Sequence, residues 1–551
     1  MARLKLFIFC AIIYFSDTRV TSPVAGDAVD DLIITLPTGS KVQGHILKSF
    51  EGNDFQAFEN IPYAEAPVGK NRLKVSSPKE PWEGVFNATS STKACSQFLD
   101  DNVIGEEDCL VLNVYRPSKA DNQEALPVYL WIYGGSFLVG YGTLYNPKFL
   151  IDYDIIIVTI NYRLGVLGFL TTNDDNIPAN LGLKDQLLAL QWVHDNIIAF
   201  GGDPNQVTIG GESAGSISVG FHWLNKQARG LFSGIIQQSG SPLSSFLSKQ
   251  GSREVALEYG RQLNNSFNST KSSDLLVTLQ EASLSDIMKL QKTFAVGTKP
   301  QGHYTTIVWQ PIIEGDFSDN AAVTGHMHSA VLNGEFNFVP ILMGLNSEES
   351  LFQMIDVDSD LFKQRAKFYD ENPKVIPDEA LNIAEENKEH VGAALRKHYT
   401  NSSFEEDSLA LIQYTSDEVF GRSIGRQADA ASRYVPVYMY QLSWYNKSNQ
   451  FPGVEHTADL HYFWDFTPQE ASHNDTLRKP LFKWWTNFIK YGNPTPIEDE
   501  DLQNVIWPEV KPGSVKYLNI DSTFEVKENP RRYYDLERII DPYIREPFNT
   551  Y

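Results

Sequence analysis

Gly211-x-Ser213-x-Gly215 is the stretch of this 551-residue chain whose residue types and spacing speak most directly of chemistry. It follows the apolar run Val207-Thr208-Ile209 and precedes Ser216 to Phe221, which reads as a helix start. In strand–turn–helix context this is the nucleophile-elbow pattern, where a serine sits on a strained turn with its hydroxyl clear of the sheet edge. Side chains two residues to either side would strike the neighbouring strand or helix, hence the glycines. The amide of Ala214 then lies at a helix N-terminus, facing the negative charge that develops on an attacked carbonyl.

A nucleophilic serine needs a base, and the base needs an orienting acid. With the order serine, acid, histidine, the candidate bases are His222, His303, His326, His328, His390, His398, His456, His461 and His473. His456 sits in the polar stretch Gly453-Val454-Glu455-His456-Thr457, whereas His461, inside Leu460-His461-Tyr462-Phe463-Trp464, reads as a packed side chain. The acid should top a strand, and Val339–Leu345 runs straight into Asn346-Ser347-Glu348-Glu349-Ser350. Spacing alone does not choose between Glu348 and Glu349. Amide donors for an oxyanion require a glycine-rich turn after an early strand, and Tyr133-Gly134-Gly135-Ser136-Phe137 supplies one. Each such donor is worth roughly 3–4 kcal/mol of transition-state stabilisation.

These residues need a scaffold, and the chain writes one. Val128–Tyr133 is a short apolar run stopped by glycine; Ile155–Ile160 is a continuous β-branched run, as in a strand covered on both faces of a parallel sheet. Leu183, Leu187, Leu190, His194 and Ile197 recur at helical spacing before Gly201-Gly202-Asp203-Pro204. Further strands are expected at Gly234–Gln238, Val339–Leu345 and Val435–Leu442. The alternation predicts an α/β fold with a large, mostly parallel sheet and helices on both faces. Residues 250–300 and 360–430 read as helical cap segments inserted between strands, and Asp378–Lys388 as a solvated helix face. No repeat or long linker divides the chain, so 23–551 reads as one domain.

Lys and Arg number 46 against 69 Asp and Glu, a net charge of −23. That excess argues against nucleic acid or anionic lipid as the main partner. Charged residues are only 21% and hydrophobic ones 42%, which excludes general disorder. A basic start and the apolar run Leu6–Phe15 fit a secretory signal, taken as residues 1–22, and the run is too short for a bilayer span. Its removal would take Cys10 and leave Cys95 and Cys109, which should pair in an oxidising compartment. N-x-[ST] sequons stand at Asn87, Asn264, Asn268, Asn401, Asn446 and Asn474. Together these predict a secreted, disulfide-bonded glycoprotein without a membrane span.

The chain resembles the type-B carboxylesterase and cholinesterase family of α/β-hydrolases over nearly its whole mature length, most of all insect-type secreted esterases. The resemblance runs through Glu107-Asp108-Cys109-Leu110, Asn161 to Phe169, Gly182-Leu183-Lys184-Asp185-Gln186 and Phe200-Gly201-Gly202-Asp203-Pro204 to the elbow. It resumes at Trp485-Thr486-Asn487-Phe488 and Gly492-Asn493-Pro494. It implies a serine esterase with Ser213 as nucleophile, Glu349 as acid and His456 as base. Gly135, Ser136 and Ala214 would donate the oxyanion amides, and Glu212 would set a second carboxylate near the imidazolium. Glu349 is favoured over Glu348 by the family's N-S-x-E-G pattern, although Ser350 replaces the glycine. Arg163 with Asp185, and Arg72 with Glu107, look like the family's structural ion pairs.

The implied reaction is hydrolysis of a small-molecule ester through an acyl-enzyme, with no metal or organic cofactor and a rising pH limb near 6–7, the range of an ordinary imidazole. Two rivals share the fold: a catalytically silent adhesion or binding protein, a kind of relative that often lacks a triad member whereas all three are present here, and a neutral lipase. The cysteine-closed loop holds no tryptophan to grip a quaternary ammonium by cation–π attraction, so the resemblance stops short of choline esters. Glu212 stands where proteins similar to juvenile hormone esterases commonly carry Gln, which counts against hormone specificity. Ser136 stands where the family usually has Gly or Ala, adding bulk beside the acyl carbonyl. Small or slender acyl groups should therefore be preferred. Ser136→Gly is expected to shift the profile of rate against acyl length towards longer chains, and an unchanged profile on graded p-nitrophenyl esters would refute the assignment.

Overall fold

The computed structural model describes residues 32–90, 92–99, 102–118, 124–244, 253–294, 308–315, 321–352, 359–378, 381–446, 452–466 and 475–546. The signal-like start, Cys10 and Asn474 lie outside the described residues. Apolar runs along the chain become the strands of one mixed sheet. They are β1 (His45–Lys48), β2 (Asp54–Pro62), β3 (Val111–Pro117), β4 (Leu126–Ile132), β5 (Ile156–Ile160) and β6 (Gly202–Glu212). After these come β7 (Gly234–Gln238), β8 (Ile341–Asn346), β9 (Val437–Leu442), β10 (Lys516–Ile520) and β11 (Phe524–Glu528). Their order across the sheet is β11-β10-β9-β8-β7-β6-β4-β5-β3-β2-β1.

From β5 across to β10 every pair is parallel, while both edges are antiparallel. Every residue of β5, β7 and β8 is buried, as in strands covered on both faces, and β5 accordingly reads as an unbroken apolar and β-branched run. Strand β5 pairs with one side of β4, and the chain then returns past β4 to lay β6 along its other side. That reversal opens a crevice at the carboxyl ends of β4 and β6, where open α/β sheets bind ligands. The glycine-rich turn after β4 and the elbow after β6 both sit there.

Two helices brace these strands: α1 (Leu181–Asn196) between β5 and β6, and α2 (Ala214–Leu224) directly after the elbow. Helix α1 begins two residues before Leu183, and Ile197–Phe200 tightens into a 3-10 turn. Strand β6 begins at Gly202, ahead of the expected Val207, because Gly202 already pairs with Leu126 before a bulge restores the register. The insertions are helical, including Arg253–Leu263, Ser272–Glu281, Leu284–Phe294, Glu385–Tyr399 and Ser408–Ser416. Of the expected solvated helix over Asp378–Lys388, the α-helix among the described residues begins at Glu385. Leu381 and Ile383 are buried instead, since their apolar side chains draw that stretch into the core. Among the described residues no helix is long and apolar enough to cross a membrane.

Cross-links stiffen the side of the crevice near the first turn. Arg163 grips Asp185 with two bonds of 2.7 Å, and Arg72 grips Glu107 at 2.6 and 2.7 Å. Cys95 and Cys109 are disulfide-bonded with Cα atoms 4.9 Å apart. Within that loop the Gln97 side chain donates to Gly140 O at 3.0 Å and accepts from Gly140 N at 2.8 Å, tying it to the chain after the glycine-rich turn. Asn87, Asn264, Asn268, Asn401 and Asn446 are exposed. Replacing both Cys95 and Cys109 by Ser should cost about 3 kcal/mol, the chain-entropy value for a loop of this length. Denaturant unfolding of the two proteins measures it, and equal midpoints would show that the loop is held without the bond.

Candidate active site

Strand β6 ends at Glu212, and Ser213 turns the chain into α2 with φ 55° and ψ −123°. A non-glycine residue holds such a conformation only where its surroundings impose it. Here both ends are fixed: Ser213 N donates to Gln238 O at 2.9 Å, and Ser213 O accepts from Ile217 N at 2.9 Å. A methyl group on Gly215 would stand 2.0 Å from Ile132 O, and one on Gly211 would stand 2.5 Å from Gly215 C and 2.6 Å from Ile132 O. The two glycines let the elbow press against β4.

The turn after β4 lies against the same residues. A methyl group on Gly134 would meet Glu212 O at 2.5 Å and Ser213 Cβ at 3.0 Å. Gly135, Ser136 and Phe137 then take three successive positive φ values, 116°, 53° and 61°. Gly135 O is engaged by Leu138 N and Val139 N, and Phe137 O by Gly165 N, so the turn is held from both sides.

His456 arrives from the loop after β9. Its Nδ1 is hydrogen-bonded to Glu349 Oε2 at 2.6 Å, and its Nε2 lies 3.2 Å from Glu212 Oε1. All three side chains are buried, Glu349 completely. The other Glu349 oxygen accepts from Asn346 N at 2.7 Å and from Ser239 Oγ at 2.6 Å. Glu348, the alternative acid, turns away from the imidazole and is held by Arg531 at 2.9 and 3.1 Å. Thus Ser213, Glu212, His456, Glu349 and the 134–137 turn converge at the sheet's switch point. His461 stacks its ring edge-on against Phe466, 5.6 Å away. Trp309 is buried between Tyr259 and Phe294.

Other residues of this cluster carry little signal in the sequence. Ser239 follows β7 with φ 54°, next to Gly240, and only its place at the end of a strand beside the elbow could have flagged it. Asp459 accepts from Gln238 Nε2 at 2.6 Å and from Asn346 Nδ2 at 3.2 Å, while Asn346 Nδ2 also reaches Glu455 O at 2.8 Å. These bonds pin the histidine loop to the ends of β7 and β8. The rings of Phe420 and Phe352 flank the imidazole at 4.8 and 6.1 Å between centroids.

The Carboxylesterase family profile matches residues 30–535 of this chain. The chain belongs to the carboxylesterase family. A carboxylic ester hydrolase from Bombus ignitus is 31% identical over 514 residues, covering 88% of this chain and 89% of the relative. A juvenile hormone esterase from Tribolium castaneum is 30% identical over 558 residues, covering 90% of each. Acetylcholinesterase 1 from Caenorhabditis elegans is 30% identical over 556 residues, 92% of this chain and 87% of the relative. The fold matches a solved juvenile hormone esterase from Manduca sexta, which carries covalently attached OTFP, with a TM-score of 0.79 at 24% identity over 93% of this chain and 99% of that one. This carboxylesterase therefore has the α/β-hydrolase fold and is a carboxylic-ester hydrolase.

Electrostatics in this carboxylesterase concentrate on the imidazole. Burial would push His456 down, but the carboxylates of Glu212 and then Glu349 outweigh it and raise the group to about 9. Burial likewise raises Glu212 to about 8, opposed by the imidazolium beside it. The Glu212–His456 pair thus keeps its proton past neutrality, because either group alone would be a poorly solvated charge. With His456 as the base, the rising limb of activity is expected above the 6–7 of a free imidazole. Glu212→Gln removes the carboxylate nearest Nε2, which lowers the imidazole's affinity for its proton. The limb of kcat/KM should move down by about one unit or more, and kcat should fall as the imidazolium loses its partner; a limb that stays in place would show that Glu212 does not act on the base.

Proposed function

We propose that this enzyme hydrolyses carboxylic esters through an acyl-enzyme on Ser213 and that it works outside the cell. The observation that carries the reading is the buried 2.6 Å contact between Glu349 and His456 Nδ1, with the opposite ring nitrogen 3.2 Å from Glu212 Oε1, on the residue just before Ser213. Glu349 cannot serve both as a carboxylate on Nδ1 and as a proton store, so its role is to fix the tautomer and balance the imidazolium. His456, neutral at Nε2, takes the Ser213 proton as Oγ forms a bond to the ester carbonyl carbon. The electron pair moves to the carbonyl oxygen, where the amides of Gly135, Ser136 and Ala214 receive it.

Collapse of that tetrahedral species breaks the carbon–oxygen bond to the alcohol, which leaves with the proton from His456. Water then repeats the sequence on the acyl group, its proton passing to His456 and back to Ser213 as the acid departs. Glu212 stabilises each imidazolium from the other side of the ring. Phe420 and Phe352, beside the imidazole, favour an apolar acyl chain of limited girth. The disulfide, the exposed sequons and the signal-like start support secretion. A fluorophosphonate should label the enzyme once per chain, at Ser213, with loss of esterase activity. Ser213→Ala should neither label nor hydrolyse, with kcat down on the order of 10⁴–10⁶-fold. Labelling elsewhere, or an active Ser213→Ala protein, would overturn the reading.

A further inference from the structure

Glu348 is excluded as the partner of His456 by an arginine from the C-terminal region, and that arginine does more than neutralise it. Arg531 is buried. Its Nη1 donates to Glu348 Oε1 at 2.9 Å and to Ser347 O, and its Nη2 to Glu348 Oε2 at 3.1 Å. Its Nε donates to Asp417 Oδ1 at 2.5 Å. The other Asp417 oxygen takes Arg532 Nε at 2.6 Å and the Tyr399 hydroxyl at 2.8 Å. One planar guanidinium therefore bridges two segments that meet at the active site from different parts of the chain.

The first segment is the acid loop, residues 346–351. It is stitched to the histidine loop by Glu348 N to Val454 O at 2.9 Å, Val454 N to Ser347 Oγ at 3.0 Å, and His456 N to Glu349 O at 3.1 Å. Glu348 also packs so tightly on Gly453 that a methyl group there would stand 2.3 Å from Glu348 Cγ. The second segment is the π-helical turn Asp417–Gly421, an irregularity of a kind that concentrates at functional sites. Its Phe420 lies 4.8 Å from the imidazole, and Ser416 just before it accepts from Ser350 N at 2.9 Å. Presenting the guanidinium requires an unusual backbone: Asn529, Arg531 and Arg532 have φ of 61°, 48° and 58°. Two successive arginines in the left-handed region persist only where their contacts impose it.

We propose that Arg531 is a positioning residue for ester hydrolysis, clamping the loop that carries Glu349 to the π-helical turn that carries Phe420. The inference rests on the proposed role of Glu349 as the imidazole's partner. Arg531 touches neither substrate nor imidazole and acts through Ser347, Glu348 and Asp417. The groups that bear on the imidazole charge are Glu212, Glu349 and Asp459. If the clamp loosens, Glu349 loses its hold while Glu212 and Asp459 remain, so the imidazole gives up its proton more easily and the acid limb moves to lower pH.

The test compares Arg531→Lys, which keeps the charge but not the fork, with Glu348→Gln and Glu349→Gln, all in the full-length protein. Turnover of p-nitrophenyl acetate is normalised to serines labelled by a fluorophosphonate, so unfolded protein does not count. Arg531→Lys should lower kcat per labelled site by about 10- to 100-fold with KM within about twofold, and shift the acid limb down by roughly half a unit. Glu348→Gln should move both readouts the same way by less, which decides the matter should the arginine variant fail to fold. Unchanged kcat per site and an unmoved limb, even with a lowered Tm, would make Arg531 a structural residue only. A Glu349→Gln enzyme with undiminished turnover would instead sink the acid assignment itself.

Discussion

An imidazole buried between two carboxylates is the constraint on which the rest of this molecule depends. Neither a charged histidine nor an ionised glutamate is tolerated in a dry interior unless partnered. His456 therefore fixes where Glu349 and Glu212 must be, and they fix it. Glu212 closes β6 and Glu349 follows β8, two strands apart in the sheet, so the sheet's register sets the distance across which the ring is held. The spacing of this cluster results from strand geometry more than from any loop's own preference. The loop that carries the histidine is then stitched to both neighbours through Asn346, Gln238 and Asp459.

That arrangement also explains the strain around it. Ser213, Ser239 and Ser136 all adopt positive φ, and each lies at the carboxyl end of a strand beside the crevice. Such conformations cost about 1–3 kcal/mol apiece and are held by the surrounding bonds. This end of the sheet costs stability, which burial of the apolar central strands offsets. Strain gathers here because Ser213, the 134–137 turn and Ser239 all leave their strands sharply, within one crevice.

The central strands and the elbow were legible in the sequence because each rests on local chemistry, whereas the antiparallel edge strands were not. Ile155–Ile160 has nothing but apolar and β-branched residues, and Gly211 and Gly215 flank the serine at the positions where a Cβ would collide. From the residues alone the imidazole's partner was legible only to within one residue, and it was the family resemblance that favoured Glu349. Glu348 and Glu349 are adjacent and chemically alike, and what separates them is Arg531, which lies 183 residues further on and leaves no mark near the acid loop. Ser239 and Asp459 were missed for a similar reason, since a serine after a strand and an aspartate in a turn are commonplace until folding aims them at Glu349 and Asn346. The resemblance had already set Glu212 beside the imidazolium, which favours its charged form; what stayed hidden was that two carboxylates outweigh the burial that opposes that form.

Nuclear magnetic resonance of ring-labelled histidine tests the central constraint most directly. With the His456 resonance assigned by its loss in His456→Gln, its nitrogen shifts can be followed from pH 5 to 10 in the resting enzyme. The two carboxylates predict an imidazole that stays cationic through neutrality and titrates near 9. A midpoint at or below the ordinary histidine value of about 6.5 would mean that Glu212 and Glu349 do not enclose the ring, and the account built on them would fall.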